Sequence, residues 1–206
     1  MNGFFHIKTA FLALVLLMNT GVAAFSQARE MASATANCEN FVYISGESNV
    51  SPFSFRYNTA DISDKKNQVI RDTGILEIGI PIRDFEPSNP MMYGDFLTLM
   101  KESEYPRIFV AFSRRQLQDL GQEQQGSCPE IHITIAGITR TYQIQCYMVK
   151  CSDQLYLSGE KKIRLSDFRL RPPEKLLGLV KVHNEIKVNF GFIITFTNNN
   201  IISAKL

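Results

Sequence analysis

The sequence lacks a charge excess of either sign and any apolar run long enough to cross a membrane. Its 206 residues contain 22 Lys and Arg against 20 Asp and Glu, so the strongly basic face typical of nucleic-acid binding is not expected. The apolar run at residues 10–18 is far shorter than the roughly 20 residues of a transmembrane helix. The length suits one globular domain.

Motifs that carry catalysis or hold metals are also missing. The chain contains no G-x-S-x-G, H-E-x-x-H, G-x-G-x-x-G or P-loop sequence. Its three histidines and four cysteines include no C-x-x-C pair. His132 and His183, the two histidines outside the N-terminal segment, fall on the polar sides of predicted strands. We therefore expect no enzymatic activity, no cofactor and no structural metal.

The N-terminus has the order of a secretory signal peptide. Lys8 precedes the apolar run, and small residues follow at positions 21–24. This pattern predicts a signal peptide over residues 1–24, with cleavage after Ala24 or Ala28, and a flexible lead-in over residues 25–37. The mature domain would then span residues 38–206 and would be periplasmic or secreted.

Period-2 alternation of apolar and polar residues dominates the mature chain and predicts strands with one buried face. It recurs around residues 53–57, 76–82, 108–112 and 131–135. The longest case covers residues 182–196, where the even positions are almost all apolar, and a strand of that length belongs to a strongly curved sheet or a barrel. A polar loop is predicted at residues 116–127, after the pair Arg114 and Arg115.

One hairpin and one helix can be placed in more detail. A loop over residues 136–139 would set Ile135 opposite Arg140 and Ile133 opposite Tyr142, which turns the apolar residues to one side. A helix is predicted over residues 91–102, with Asn89 or Ser88 as its cap and an apolar stripe along one face. The stripe consists of Met92, Phe96, Leu99 and Met100. Many strands with one short helix indicate an all-β antiparallel barrel or sandwich.

The hairpin also bears on the four cysteines, which would meet oxidising conditions in an exported chain. Its alternation turns Cys146 inward and turns Cys128 and Cys151 to the opposite face. A bridge between Cys128 and Cys146 is therefore disfavoured. Cys151 is the better partner for Cys38 or for Cys128, while Cys146 is expected to be a free buried thiol if it is not bridged.

Several short motifs in fixed order resemble the YceI-like family of exported lipid-binding proteins. They read S-N-V-S-P-F at residues 48–53, Y-P-R-I at 105–108, I-T-I-A-G-I-T-R at 133–140 and L-S-D-F at 165–168, and they continue with R-P-P at 171–173 and G-L-V-K-V-H-N-E-I-K-V-N-F at 178–190. The resemblance runs from about residue 36 to residue 196. The chain departs from the commoner pattern before Tyr105 and at Ala136, where many members carry His.

The resemblance implies an eight-stranded antiparallel lipocalin-like barrel whose apolar interior holds a long-chain isoprenoid or a similar amphipathic lipid, as a carrier or by sequestration. Arg114, Arg115, Lys161 and Lys162 are candidates for a charged rim. The alternative is a packed barrel that acts as a structural or interaction protein of the cell envelope with no small ligand. The residues expected to line the interior are Phe53, Phe55, Tyr57, Ile78, Ile80, Val110, Phe112, Ile133, Ile144, Phe190 and Phe192.

Overall fold

The computed structural model describes residues 38–58, 68–71, 74–122, 128–151, 154–175, 180–197 and 200–205. The predicted signal peptide (1–24) and lead-in (25–37) lie outside these residues. Thirteen strands and two α-helices form in the described part of the chain. They are β1 (Phe41–Ser48), β2 (Pro52–Asn58), β3 (Gln68–Arg71), β4 (Ile75–Pro81), β5 (Glu86–Pro87), α1 (Tyr93–Leu99), β6 (Arg107–Ser113), α2 (Arg114–Gln122), β7 (Glu130–Ile135), β8 (Ile138–Gln143), β9 (Cys146–Cys151), β10 (Gln154–Arg164), β11 (Glu174–Lys175), β12 (Val180–Thr197) and β13 (Asn200–Lys205).

The strands form two antiparallel sheets. The first sheet follows the order β5-β2-β1-β12-β10-β9, and β11 and β13 also pair with β12. The second follows the order β3-β4-β6-β7-β8. The 18-residue β12 extends along β1, β10, β11 and β13, so the long strand expected at residues 182–196 is confirmed as the centre of the first sheet.

The alternation seen in the sequence corresponds to one buried face on each sheet. On β4 the side chains of Leu76, Ile78 and Ile80 are buried, whereas Glu77 between them is part exposed. On β12 the side chains of Phe190 and Phe192 are buried in the same hydrophobic cluster. The two sheets therefore share one apolar core.

The prediction of a closed barrel of eight strands is wrong, because the strands form two separate sheets. In the described residues the two sheets do not join edge to edge by hydrogen bonds, and thirteen strands take part. Between β8 and β9 the chain crosses from one sheet to the other at Ile144 and Gln145, where the Ile144 amide donates to the Pro129 carbonyl at 3.2 Å. Alternation reports which residues face the core, and this pattern is the same for a closed barrel and for two facing sheets.

The predicted helix at residues 91–102 is present but shorter. The amide of Met91 donates to Asn89 Oδ1 at 3.0 Å, as expected for the cap, and a 3₁₀ turn (Pro90–Met92) precedes α1. The helix ends at Leu99 because Lys101 turns into the left-handed region with φ 53°. Glu102 then leaves the helix and forms a salt bridge with Arg83, Nε to Oε1 2.6 Å.

The prediction of a polar loop at residues 116–127 is wrong as far as Gln122, because this segment forms α2. Its buried residues are Leu117 and Leu120, which are 0% and 2% exposed. They are three positions apart and so lie on one face of the helix. Two apolar residues among polar ones make a narrow stripe, and packing against β6 and β9 is what stabilises so short a helix.

The hairpin between β7 and β8 has a tighter turn than the one predicted. Ile135 pairs with Ile138 and Ile133 with Arg140, so the loop is Ala136-Gly137 and the predicted register was off by two residues. Both loop residues have positive φ, 49° and 75°, as in the turns that match strand twist. A shift of two positions preserves which face each side chain occupies, and Cys146 is indeed buried.

A disulfide joins the start of the described chain to the end of β9. Cys38 bridges Cys151 across 113 residues of sequence, which decides between the two partners left open for Cys151. Cys128 and Cys146 are free. Two side chains support the same region: Asn40 Oδ1 accepts from the Ile193 amide at 2.7 Å, and the Tyr156 hydroxyl donates to the Glu39 carbonyl at 3.0 Å.

Truncation of one buried side chain of α2 tests how much its packing contributes to stability. We expect Leu117→Ala to lower the free energy of unfolding by about 2–5 kcal/mol, because it leaves a cavity at a fully buried site. The exposed Asp119 on the same helix provides the control, since Asp119→Ala should change stability by no more than about 0.5 kcal/mol. Urea unfolding followed by circular dichroism measures both, and equal stabilities would contradict the burial of Leu117.

Removal of the disulfide tests its contribution. The double variant Cys38→Ser with Cys151→Ser should lose about 2–4 kcal/mol of stability, because the bridge restricts the unfolded chain over a long loop. Cys128→Ser removes an exposed free thiol and should leave stability unchanged. Denaturant unfolding under non-reducing conditions compares the three proteins, and an unchanged midpoint in the double variant would refute the expectation.

Candidate functional site

An apolar cavity of about 280 Å³ lies between the inner faces of the two sheets. Protein interiors contain few voids larger than a water molecule, so the side chains leave this interior unfilled. Ser48, Ser51 and Asp95 are the polar lining residues. The other lining side chains are apolar.

Eight of the eleven residues expected to line the interior border this cavity. They are Phe53, Phe55, Ile80, Val110, Ile133, Ile144, Phe190 and Phe192. Tyr57, Ile78 and Phe112 are buried in the same core but do not border the cavity. That the eight contact a bound ligand stays a prediction.

The cavity reaches the surface at the tip of the hairpin between β1 and β2. Val50 lines the cavity and is nevertheless 69% exposed. The Ser48 hydroxyl donates to the Ser51 carbonyl at 2.8 Å and accepts from the amides of Val50 and Ser51 at 3.2 and 3.0 Å. Asn49 Oδ1 accepts from the Lys181 amide at 2.8 Å. The S-N-V-S-P-F motif thus shapes the mouth of the cavity.

Helix α1 and the turn before it form one wall near this mouth. Met92, Phe96, Leu99 and Met100 all line the cavity, and the Phe96 ring stacks on Phe55 with centroids 4.2 Å apart. None of these four residues was among those expected to line the interior. Their helical spacing was a usable signal, because the apolar stripe of a helix must pack on an apolar interior.

The opposite end of the cavity is closed by aromatic and aliphatic side chains. The Phe192 ring lines the cavity, stacks on Phe190 at 5.4 Å and meets the Phe112 ring edge-on at 6.4 Å. Phe112 does not line the cavity, so the Phe192 ring forms the boundary. Leu117 and Leu120 of α2, which begins directly after β6, belong to the same core.

The four basic residues proposed for a rim do not line the cavity. Arg114 and Arg115 begin α2. Lys161 Nζ donates to the Gln143 carbonyl at 2.8 Å and lies 5.9 Å from the Tyr142 ring centre. Lys162 forms a salt bridge with Glu185 at 3.1 Å. Lys161 lies opposite Val188, on the same face of β10 as the buried Ile163, and its ammonium group contacts β8 of the second sheet. Lys162 lies on the other face of β10.

The lining side chains favour enclosure of an apolar group. Asp95 is the single ionisable side chain among them, and the Ser48 hydroxyl is engaged in the hairpin turn. Burial, together with the nearby Asp84, raises the pKa of Tyr57 to about 12. Tyr57 packs against Phe85 with ring centres 5.5 Å apart and does not line the cavity.

Comparison with solved structures identifies proteins of the same fold. A polyisoprenoid-binding domain from Saccharophagus degradans, implicated in plant cell wall breakdown, superposes with a TM-score of 0.52 at 11% identity, over 74% of this chain and 91% of that one. BcnA from Burkholderia cenocepacia gives 0.51 at 15% identity, over 78% and 98%. The YceI protein of Campylobacter jejuni superposes less well, with a TM-score of 0.45 at 16% identity over 60% and 73%, which is too low to indicate a shared fold by itself.

Sequence comparisons add no relative. No protein-family model matches the chain, and no curated protein is significantly similar to it. The likeness therefore concerns the fold, and at that level the resemblance to YceI-like proteins predicted from the sequence is confirmed.

The pKa of Tyr57 predicts a loss of stability in alkali. A pKa of about 12 in the folded state, against about 10 in the unfolded chain, means that the unfolded state loses its proton first as pH rises. The free energy of unfolding is therefore independent of the Tyr57 ionisation below about pH 10 and decreases between about pH 10 and 12. Urea unfolding at pH 9 and pH 11.5 should therefore show a smaller alkaline loss in Tyr57→Phe than in the wild type, and identical losses would contradict the expectation.

Proposed function

We propose that the protein binds the hydrocarbon chain of a lipid in the cavity between its sheets and acts as a carrier or by sequestration. The observation that carries this proposal is the unfilled apolar volume of about 280 Å³, which opens to the surface beside Val50. Cavities lined by apolar side chains take up apolar ligands. The named lipid class is a long-chain isoprenoid or a similar amphipathic lipid.

The similarity of fold supports this proposal. The Saccharophagus degradans structure of the same fold is a polyisoprenoid-binding domain, and this chain has an interior that is open and apolar. Fold alone does not determine function, so the cavity is the stronger argument. The interior also argues against the packed-barrel alternative, because a fully packed core would leave no volume of this size.

Energetics limits the ligand. Burial of a hydrocarbon chain contributes about 0.8 kcal/mol per methylene, while association costs an estimated 4–15 kcal/mol. A chain of about ten carbons would then barely bind on its own. The ligand is therefore a long lipid, or a shorter one whose polar head makes further contacts at the mouth.

The proposal includes export from the cytoplasm. The predicted signal peptide and the Cys38–Cys151 disulfide both support a periplasmic or secreted protein, since disulfides persist in oxidising compartments. Among the described residues, no helix has the length and apolar character needed to span a bilayer.

A cavity-filling substitution tests the proposal. Val110 lines the cavity and is only partly buried in its wall. Val110→Phe should weaken binding of a fluorescent fatty acid by about tenfold or more, since the ring displaces at least two methylenes of ligand at about 0.8 kcal/mol each. Stability should be retained, because the added ring occupies existing space.

Val149→Phe is the matched control, because Val149 lies on β9, is 42% exposed and does not line the cavity. It should bind as the wild type does. Lipid extraction and mass spectrometry of protein purified from its native host would identify the cargo. If the wild type yields no lipid and binds no probe, the proposed function is wrong.

A further inference from the structure

The cavity has a definite floor, and its position limits the length of chain that can enter. Phe192 of β12 forms the boundary: it lines the cavity, while its neighbour Leu157 across the pair with β10 is fully buried and does not. The Phe112 ring packs edge-on against Phe192, and Leu117 of α2, the helix that directly follows β6, belongs to the same buried cluster. Buried side chains that do not line the cavity thus adjoin Phe192 at this end.

The rings of this floor are held in place from several sides. Phe192 is 1% exposed, and it contacts both the Phe190 face and the Phe112 edge. Offset and edge-on aromatic pairs are favourable geometries, and close-packed side chains do not give way cheaply. The floor is therefore a fixed barrier, in contrast to the mouth, where Val50 is exposed.

The volume of the cavity limits how many carbon atoms of a ligand chain it can hold. An engineered apolar cavity of about 150 Å³ takes up one benzene molecule. The cavity of about 280 Å³ has nearly twice that volume and so holds on the order of a dozen carbon atoms. Small-molecule sites usually have volumes of about 300–1,000 Å³, so this cavity lies just below the lower limit of that range.

We propose that Phe192 acts as a ruler: the site takes one chain segment of about a dozen carbons, and any longer part of the ligand stays outside the mouth beside Val50. This inference rests on the proposed function, because it specifies the ligand of the same cavity. The ligand class is a single-chain amphiphile of medium length, or the end segment of a longer lipid. Selection is by chain length, since the lining offers one carboxylate, Asp95, and no basic side chain.

A chain-length series tests the ruler. Straight-chain fatty acids of 8 to 18 carbons, kept below their aggregation concentrations, would compete with 1-anilinonaphthalene-8-sulfonate for the wild-type protein. Affinity should rise about fourfold for each added methylene while the chain still gains buried surface. It should then level off at about a dozen carbons.

Removal of the floor should move that limit. Phe192→Ala opens the space of one ring, so the plateau should shift to chains longer by about two to four carbons. Phe192→Leu, which leaves a smaller hole and a more stable protein, should give a smaller shift in the same direction. The matched controls are Phe168→Ala and Phe168→Leu, because Phe168 is also 1% exposed but packs on Tyr142 away from the cavity.

The outcomes separate the two proposals. A plateau that moves in the Phe192 variants and stays in the Phe168 variants supports the ruler. Binding that continues to strengthen up to 18 carbons in the wild type, or a plateau shared by all variants, overturns the ruler and leaves lipid binding intact. If fatty acids of every length fail to bind, and no lipid is extracted from the native protein, both proposals fall.

Discussion

The unfilled apolar space between the two sheets is the constraint on which the rest of the structure depends. Unfilled apolar volume is destabilising because the atoms that line it lose packing contacts, and about 280 Å³ is unfilled here. The walls must therefore be held apart by strong packing elsewhere, and a ligand that fills the space stabilises the fold.

The interactions that hold the walls of the cavity in place are found at its closed end, at its mouth and at the disulfide of the first sheet. At the closed end, Phe112, Phe192 and the leucines of α2 pack without reaching the surface. At the mouth, Phe96 of α1 stacks on Phe55 and the turn around Ser48 is hydrogen-bonded. The disulfide ties the entry of β1 to the end of β9. The middle of the interior can remain open because its borders are rigid.

The departures from the expected barrel bear directly on this cavity. The two sheets are not joined at their edges in the described residues, and the core between them also includes side chains of two helices, α1 beside the mouth and α2 next to Phe112 at the closed end. Helix α1 adds the lining side chains of Asp95, Phe96 and Leu99, with Met92 and Met100 directly flanking it, and α2 adds the buried Leu117 and Leu120 to the core. The volume available to a ligand is thus decided by the helices as much as by the sheets.

The sequence by itself determined the class of fold and the inward face of each recognised strand, because a period of two reports orientation directly. Eight of the eleven predicted interior residues border the cavity for this reason, and Cys146 is buried as the alternation required. Only the tertiary structure decided the pairing of Cys38 with Cys151, the edges of the sheets, the helix α2 and the depth of the cavity. These depend on contacts between residues far apart in the chain: Tyr57, Ile78 and Phe112 have the same alternation as their neighbours, and what sets them outside the cavity is the side chains packed against them.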